Sequence, residues 1–304
     1  MSVFKNTGVV ILAFCMFGGV LRAQKEEING ARKLTWVAQA TLFSLECAQS
    51  DPFRIGVGLE GDYYFQRYLS VHALYNTSYF GIAKFDAKDL NTDANKLSSF
   101  SLMEAGCRLN IIDRAGETTL KWFEVVSRSG NMIYGYDRQA TYDARKIFGF
   151  RAGLYINRDI VNTDMNGTYS PSKDKAQIKT DDGLIYGGNL PAFTNMHVLG
   201  GYGGVSFVSL INTSAKHRLR ETFIDVMYAP FISFDNISQG GKSSHITPNA
   251  LGSFHTQSIG WRIGSVVAVP RMPGYACGFE LGSRPGVKSH GLYFGCRMSL
   301  VFSK

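Results

Sequence analysis

Apolar residues recur along this chain with a period of two. At the C-terminal end Leu292, Phe294, Cys296, Met298, Leu300 and Phe302 alternate with Tyr293, Gly295, Arg297, Ser299 and Val301. Successive side chains of an extended strand point to opposite faces. One face of this stretch is therefore apolar, and the other is small or polar and carries an arginine. The same pattern appears at 53–65, where Phe53, Ile55, Val57, Leu59, Gly61, Tyr63 and Phe65 oppose Arg54, Gly56, Gly58, Glu60, Asp62 and Tyr64. It recurs at 69–80, 100–112, 147–157, 197–211, 222–228, 259–267 and 275–281. Weaker segments at 34–47, 118–127 and 131–137 bring the expectation to about twelve strands, within a range of eight to fourteen, an even number as a closed membrane barrel requires.

Turn residues punctuate these strands at Gln66–Arg67, Asp113-Arg114-Ala115-Gly116, Asn212 and Pro270-Arg271-Met272-Pro273-Gly274. Longer polar segments at 84–96, 158–191 and 233–253 read as loops. Short turns at one end and long loops at the other are the arrangement of an outer-membrane barrel. The expected fold is therefore all-β, an antiparallel up-and-down transmembrane barrel formed by a single domain over 24–304.

Gly56-x-Gly58-x-x-Gly61 matches the spacing of a dinucleotide-binding fingerprint. That motif needs a helix to open at the glycines. Here the alternation runs straight through them, so they read as strand glycines in a curved sheet.

The N-terminus has Lys5, the apolar run 9–17 and the small residue Ala23 before Gln24. That is the layout of a cleaved secretory signal peptide over 1–23. No later run is apolar enough for a spanning helix. The 33 glycines, 21 Phe and 15 Tyr suit a barrel whose membrane signal is diluted by alternation, and they also suit a secreted all-β protein such as a soluble β-sandwich. Net charge is +8, and loss of Lys5 and Arg22 with the leader lowers it to +6. The basic residues are scattered, which fits solvated loops and lumen, or contact with lipopolysaccharide phosphates, and gives no nucleic-acid footprint.

The polar faces carry Glu60, Asp62, Glu104, Glu221, Asp225 and Glu280 with Arg108, Arg151, Arg262 and Arg297. In lipid each such charge would cost about 2–4 kcal/mol near the midplane, so all ten are expected in the lumen. Mixed signs at similar depth imply ion pairs across it. These either fill and rigidify the barrel or line a narrow pore or ligand cavity. Cys277 and Cys296 flank the turn at Pro285–Gly286 and form a candidate disulfide; the alternative is two lipid-facing thiols.

There is no HExxH, GxSxG or phosphate-binding loop, and the cysteines and dispersed histidines form no metal pattern. Neither catalysis nor a cofactor is expected. Ser244-His245 and Ser289-His290 are the pairs a barrel lipid hydrolase would use, but neighbours on a strand face apart.

The leader ending at Ala23–Gln24, the glycine-aromatic strand 55–65 and the closing strand 292–302 resemble those of porin-like outer-membrane β-barrel proteins of the Bacteroidota. One departure is that Ser303 and Lys304 follow Phe302, where the family ends on an aromatic residue. The resemblance implies insertion into the bacterial outer membrane by the barrel-assembly machinery, among its lipid and lipopolysaccharide. Two roles follow as expectations: a narrow porin-like pore or small-solute channel, or a closed barrel that anchors an envelope complex through a protein partner.

Overall fold

The computed structural model describes residues 36–48, 53–65, 68–81, 99–129, 132–162, 177–179, 185–187, 193–212, 217–239, 242–245, 256–268, 274–287 and 292–303. The expected leader over 1–23 lies outside them. In chain order the strands are β1 (Trp36–Ala48), β2 (Arg54–Tyr64), β3 (Leu69–Gly81), β4 (Ser101–Ser129), β5 (Met132–Asn162), β6 (Gln177–Lys179), β7 (Ile185–Gly187), β8 (Phe193–Asn212), β9 (His217–Gln239), β10 (Lys242–His245), β11 (Thr256–Gln257), β12 (Ile259–Ala268), β13 (Tyr275–Ser283), β14 (Gly286–Val287) and β15 (Tyr293–Ser303). No helix occurs among the described residues.

Hydrogen bonding runs β9-β12-β13-β15-β1-β2-β3-β4-β5-β8 and returns from β8 to β9, closing a barrel of ten antiparallel strands. The final strand closes on the first, with Ala40 opposite Leu300 and Cys47 opposite Phe294. An eleventh strand, β10, folds back on the distal end of β9. Closure satisfies every strand edge around the ring, which an apolar solvent demands.

Ten strands replace the expected twelve for one reason. The segments 100–112 and 118–127 are a single strand, β4, and the segments 131–137 and 147–157 are a single strand, β5. Asp113-Arg114-Ala115-Gly116 is not a turn. Asp113 stays in the ladder opposite Ile147, and its carboxylate takes two hydrogen bonds from Arg145 at 2.9 and 2.6 Å. Polar composition mimicked a turn where a strand leaves the barrel wall. β3 stops pairing with β4 at Leu109, and β8 stops pairing with β5 at Ala144. Beyond those points β4 and β5 pair with each other from Glu117–Asp143 to Ser129–Met132. At the rise of a strand this two-stranded ribbon is about 40 Å long. It leaves from the end that carries Trp36, the β2–β3 connection and Ser303.

The opposite end bears the longer connections, and these start later than expected. β5 runs to Asn162 and β9 to Gln239, so the segments at 158 and 233 open as strand. β6 pairs with β7 inside the first, and β10 forms within the second. The stretch 84–96 lies outside the described residues.

β1 had the weakest alternation because of a bulge. The register to β15 shifts between Thr41 and Phe43. Val37, Gln39 and Thr41 face inward before it, and Ser44, Glu46 and Ala48 after it. A bulge inserts one residue and reverses the phase.

Apolar side chains face outward around the ring, among them Leu59, Leu109, Phe150, Leu154, Phe207, Ile224, Val226, Trp261, Phe279, Phe294 and Met298. A continuous exposed apolar surface of this kind needs an apolar solvent or partner. Inside, two apolar clusters form among the described residues. Val37, Tyr64, Ile147, Val208, Leu210, Val266 and Ala276 pack at the short-turn end. Phe100, Leu102, Tyr155, Val161, Met196, Val198 and Phe234 pack toward the long-connection end, where Val287 of β14 joins them. Lipid contact predicts that Leu154→Lys, at mid-strand opposite Ala105 and Gly201, lowers unfolding free energy in vesicles by about 2–4 kcal/mol. Urea titration of the vesicle-inserted barrel measures it; a change within about 0.5 kcal/mol, the size expected at a water-exposed position, is the opposite outcome.

Candidate functional site: an ion-paired lumen

Beside and between these clusters the lumen is charged. Glycines on the inward rows of β4, β5 and β12 make the room for its framework. A Cβ at Gly106 or Gly153 would sit 2.4 or 2.6 Å from the Tyr202 hydroxyl, and one at Gly264 would sit 2.4 Å from the Phe223 ring. Tyr202 of β8 and Phe223 of β9 therefore lie flat in glycine-lined hollows and form an aromatic shelf. Two guanidiniums rest on it. Arg151 lies 4.4 Å from the Phe223 centroid and 5.2 Å from that of Tyr202; Arg262 lies 4.8 Å from Tyr202 and 5.4 Å from Phe223. Ring faces attract cations, more strongly where water is excluded.

The shelf aims both arginines at carboxylates on other strands. Arg262 of β12 reaches across the lumen to Glu104 of β4 with a two-pronged contact, its Nη2 2.8 Å from Oε2. Its Nε donates to Asp225 at 2.8 Å. Arg151 lies 3.3 Å from Asp225 and 3.6 Å from Glu221, and Arg108 donates to Glu221. Arg297 pairs with Glu60 at 2.8 Å. Glu280 accepts from the Tyr293 hydroxyl and lies 3.9 Å from Arg284. Asp62 lies 3.1 Å from Nδ1 of His72. All ten sequence-predicted lumen charges thus point inward, and nine of them meet an ionic partner of opposite sign among arginines and carboxylates; Asp62 meets His72.

Four residues were missed. Arg54 donates to both oxygens of Asp159 at 3.0 Å and lies 3.1 Å from Glu46, while Arg284 grips Glu46 at 2.7 and 2.8 Å. Arg54 and Arg284 also stack on Phe100, at 4.2 and 5.3 Å. Glu46 was hidden by the β1 bulge. Asp159 and Arg284 lay in segments read as loop and turn. Continuing the inward rows by two residues, from Asn157 to Asp159 and from Gly282 to Arg284, would have found both.

Eight carboxylates (Glu46, Glu60, Asp62, Glu104, Asp159, Glu221, Asp225, Glu280) thus face six guanidiniums (Arg54, Arg108, Arg151, Arg262, Arg284, Arg297). No single sign dominates as in a selectivity ring. A cavity of about 60 Å³ opens among them, lined by Glu46, Arg54, Asn76, Glu104, Arg262 and Arg297 with other residues. That is room for about two waters.

The candidate disulfide is corrected. Cys277 stands opposite Met298 and Cys296 opposite Phe279, two residues out of step, and both thiols are free. Their positions either side of the turn matched, but the register does not. His245 lies in β10 and His290 outside the described residues, so neither Ser-His pair is brought to a described site.

No family model matches the chain. No curated protein matches it. Among solved structures it is similar to the crystal structure of an outer membrane channel from Pseudomonas putida F1, with 9% identity over 92% of this chain and 100% of that one and a TM-score of 0.28. The likeness is too low to transfer residues.

The glycine hollows predict a contrast between two positions. Gly153→Val drives a side chain into Tyr202, whereas a Cβ added at Gly203, one strand over, would meet no atom nearer than 4.0 Å. Gly153→Val should cost about 1–3 kcal/mol and Gly203→Val should be near neutral, read as the shift in the heat-modifiable gel band. Equal effects would show that Tyr202 does not rest in the hollow.

Proposed function

We propose that this chain is an outer-membrane β-barrel with a sealed lumen, acting as an anchoring subunit of an envelope complex. The observation that carries the reading is the interior among the described residues: charges bridge it from wall to wall, apolar clusters pack against them, and the cavity among the pairs is about 60 Å³. A solute-sized path would need the Glu104–Arg262 bridge and its neighbours to part. Separating such buried pairs costs several kcal/mol each.

The ribbon at 117–143 supplies what an anchor would present. In an outer-membrane barrel the short-turn end faces the periplasm, and the ribbon leaves from that end. Ile133, Tyr134 and Tyr136 are exposed along it. Outside its own pairing its outer edges meet no strand among the described residues, so an envelope protein could extend its ladder.

A second reading, a narrow gated pore, draws on one observation. Gln39, Asn110, Asn157 and Ser206 are buried polar residues of four strands, groups that water could bind if the bridges opened. Planar-bilayer recording separates the two. The sealed-anchor reading predicts no stepwise current from the folded wild-type barrel across salts, and stepwise current would favour the pore. Replacing 117–143 with a tight turn should leave heat-modifiable folding intact while removing partners that co-purify in mild detergent. Unchanged co-purification would place the contact elsewhere.

A further inference from the structure

We propose that Glu60, Asp62 and His72, with Gln39 beside them, bind one divalent transition-metal cation of the zinc class inside the barrel. The inference concerns the lumen itself and holds whether the barrel is an anchor or a pore.

The backbone assembles the three side chains. Glu60 and Asp62 are two apart on β2 and share its inward face. His72 is the direct partner of Asp62 on β3, and Gln39 is the direct partner of Glu60 on β1. Three adjacent strands thus bring two carboxylates, an imidazole and an amide to one patch of wall. One ligand atom from each of Glu60, Asp62 and His72 lies within 4.8 Å of the others. Tetrahedral zinc, with bonds of about 2.0–2.1 Å, sets its ligand atoms about 3.4 Å apart. The Asp62–His72 pair, at 3.1 Å, already stands near that spacing, and torsions of the Glu60 side chain can bring in the third. An imidazole with two carboxylates favours zinc-class cations over calcium or magnesium, which prefer all-oxygen sites.

Two further observations point to a ligand. Gln39 is 2% exposed and both atoms of its amide are buried with no hydrogen-bond partner; Asp62 Oδ2 is buried and partnerless too. Buried polar atoms are satisfied in folded proteins by protein, water or ion. Charge then discriminates between water and a cation. Among the described lumen groups eight carboxylates face six guanidiniums and the imidazole of His72. Arg297 answers Glu60, and Arg108 and Arg151 are held by Glu221 and Asp225. Asp62 has no guanidinium within ion-pair distance among the described residues; its ionic contact is His72. A divalent cation meets the Asp62 carboxylate with charge, whereas a water does not. Arg297 can keep one Glu60 oxygen while the other turns to the metal.

The test uses the full mature chain without an affinity tag, refolded in detergent, stripped with chelator and dialysed against Zn²⁺. Elemental analysis should find one zinc per chain, and zinc should raise the temperature at which the folded gel band is lost. Asp62→Asn and His72→Ala should each weaken zinc affinity by at least about tenfold; the four free cysteines do not contribute, so a variant with all four changed to serine keeps the zinc. Where a ligand variant fails to fold, Co²⁺ in the wild-type barrel gives an independent reading: visible absorption of a four- or five-coordinate site without a thiolate charge-transfer band supports the proposal. Substoichiometric zinc, zinc retained by both ligand variants, or a thiolate band would overturn it and leave water as the partner of Gln39.

Discussion

The constraint on which this structure depends is the cost of placing ionised groups inside a closed sheet. A barrel wall exposes alternate residues to lipid, so every charge on a strand has one place to go. Once inside, an unpaired charge costs several kcal/mol, and a pair is tolerated only where geometry satisfies both members. Arg262 shows the solution: a two-pronged contact to Glu104 on a strand across the ring, a third bond to Asp225, and two aromatic faces beneath the cation. Arginine suits this role because its planar fork can meet carboxylates and stack on rings at once.

The remaining features serve that arrangement. Glycines at 106, 153 and 264 give up side-chain volume so that Tyr202 and Phe223 can lie against the wall and carry the guanidiniums. Apolar residues pack against the pairs, Phe100 under Arg54 and Arg284 among them, and low exposure strengthens such pairs. The pairs that fill the lumen also brace the strands that carry them, so interior charge and wall rigidity are two consequences of one network. What extends past the network is strand: β4 and β5 continue as a ribbon after their neighbours have ended.

Much of this was legible in the sequence because a period of two is a strong signal when both faces differ. The closing strand shows it: Phe294, Met298 and Phe302 are exposed and Tyr293 and Ser299 are buried, as their alternation required. The inward direction of Glu60, Asp62, Glu104 and Arg262 followed from the same rule. Three things did not follow. Asp113-Arg114-Ala115-Gly116 has the composition of a turn, yet it lies where β4 leaves the wall and meets water, and a solvated strand and a turn use the same residues. The bulge after Thr41 inverts the inward row of β1, which composition does not register. The pairings themselves, such as Arg54 with Asp159, depend on ring order and shear, and those are properties of the closed sheet rather than of any one strand.

The most direct measurement of the central claim is a double-mutant cycle between Glu104 and Arg262, read by urea unfolding of the barrel in lipid vesicles. Arg262→Met alone should cost about 3–5 kcal/mol, because it strands buried carboxylates. Adding Glu104→Leu should recover part of that loss, with a coupling above about 1 kcal/mol. Strictly additive losses would mean that the two groups do not meet across the lumen, and an ion-paired interior would be the wrong description.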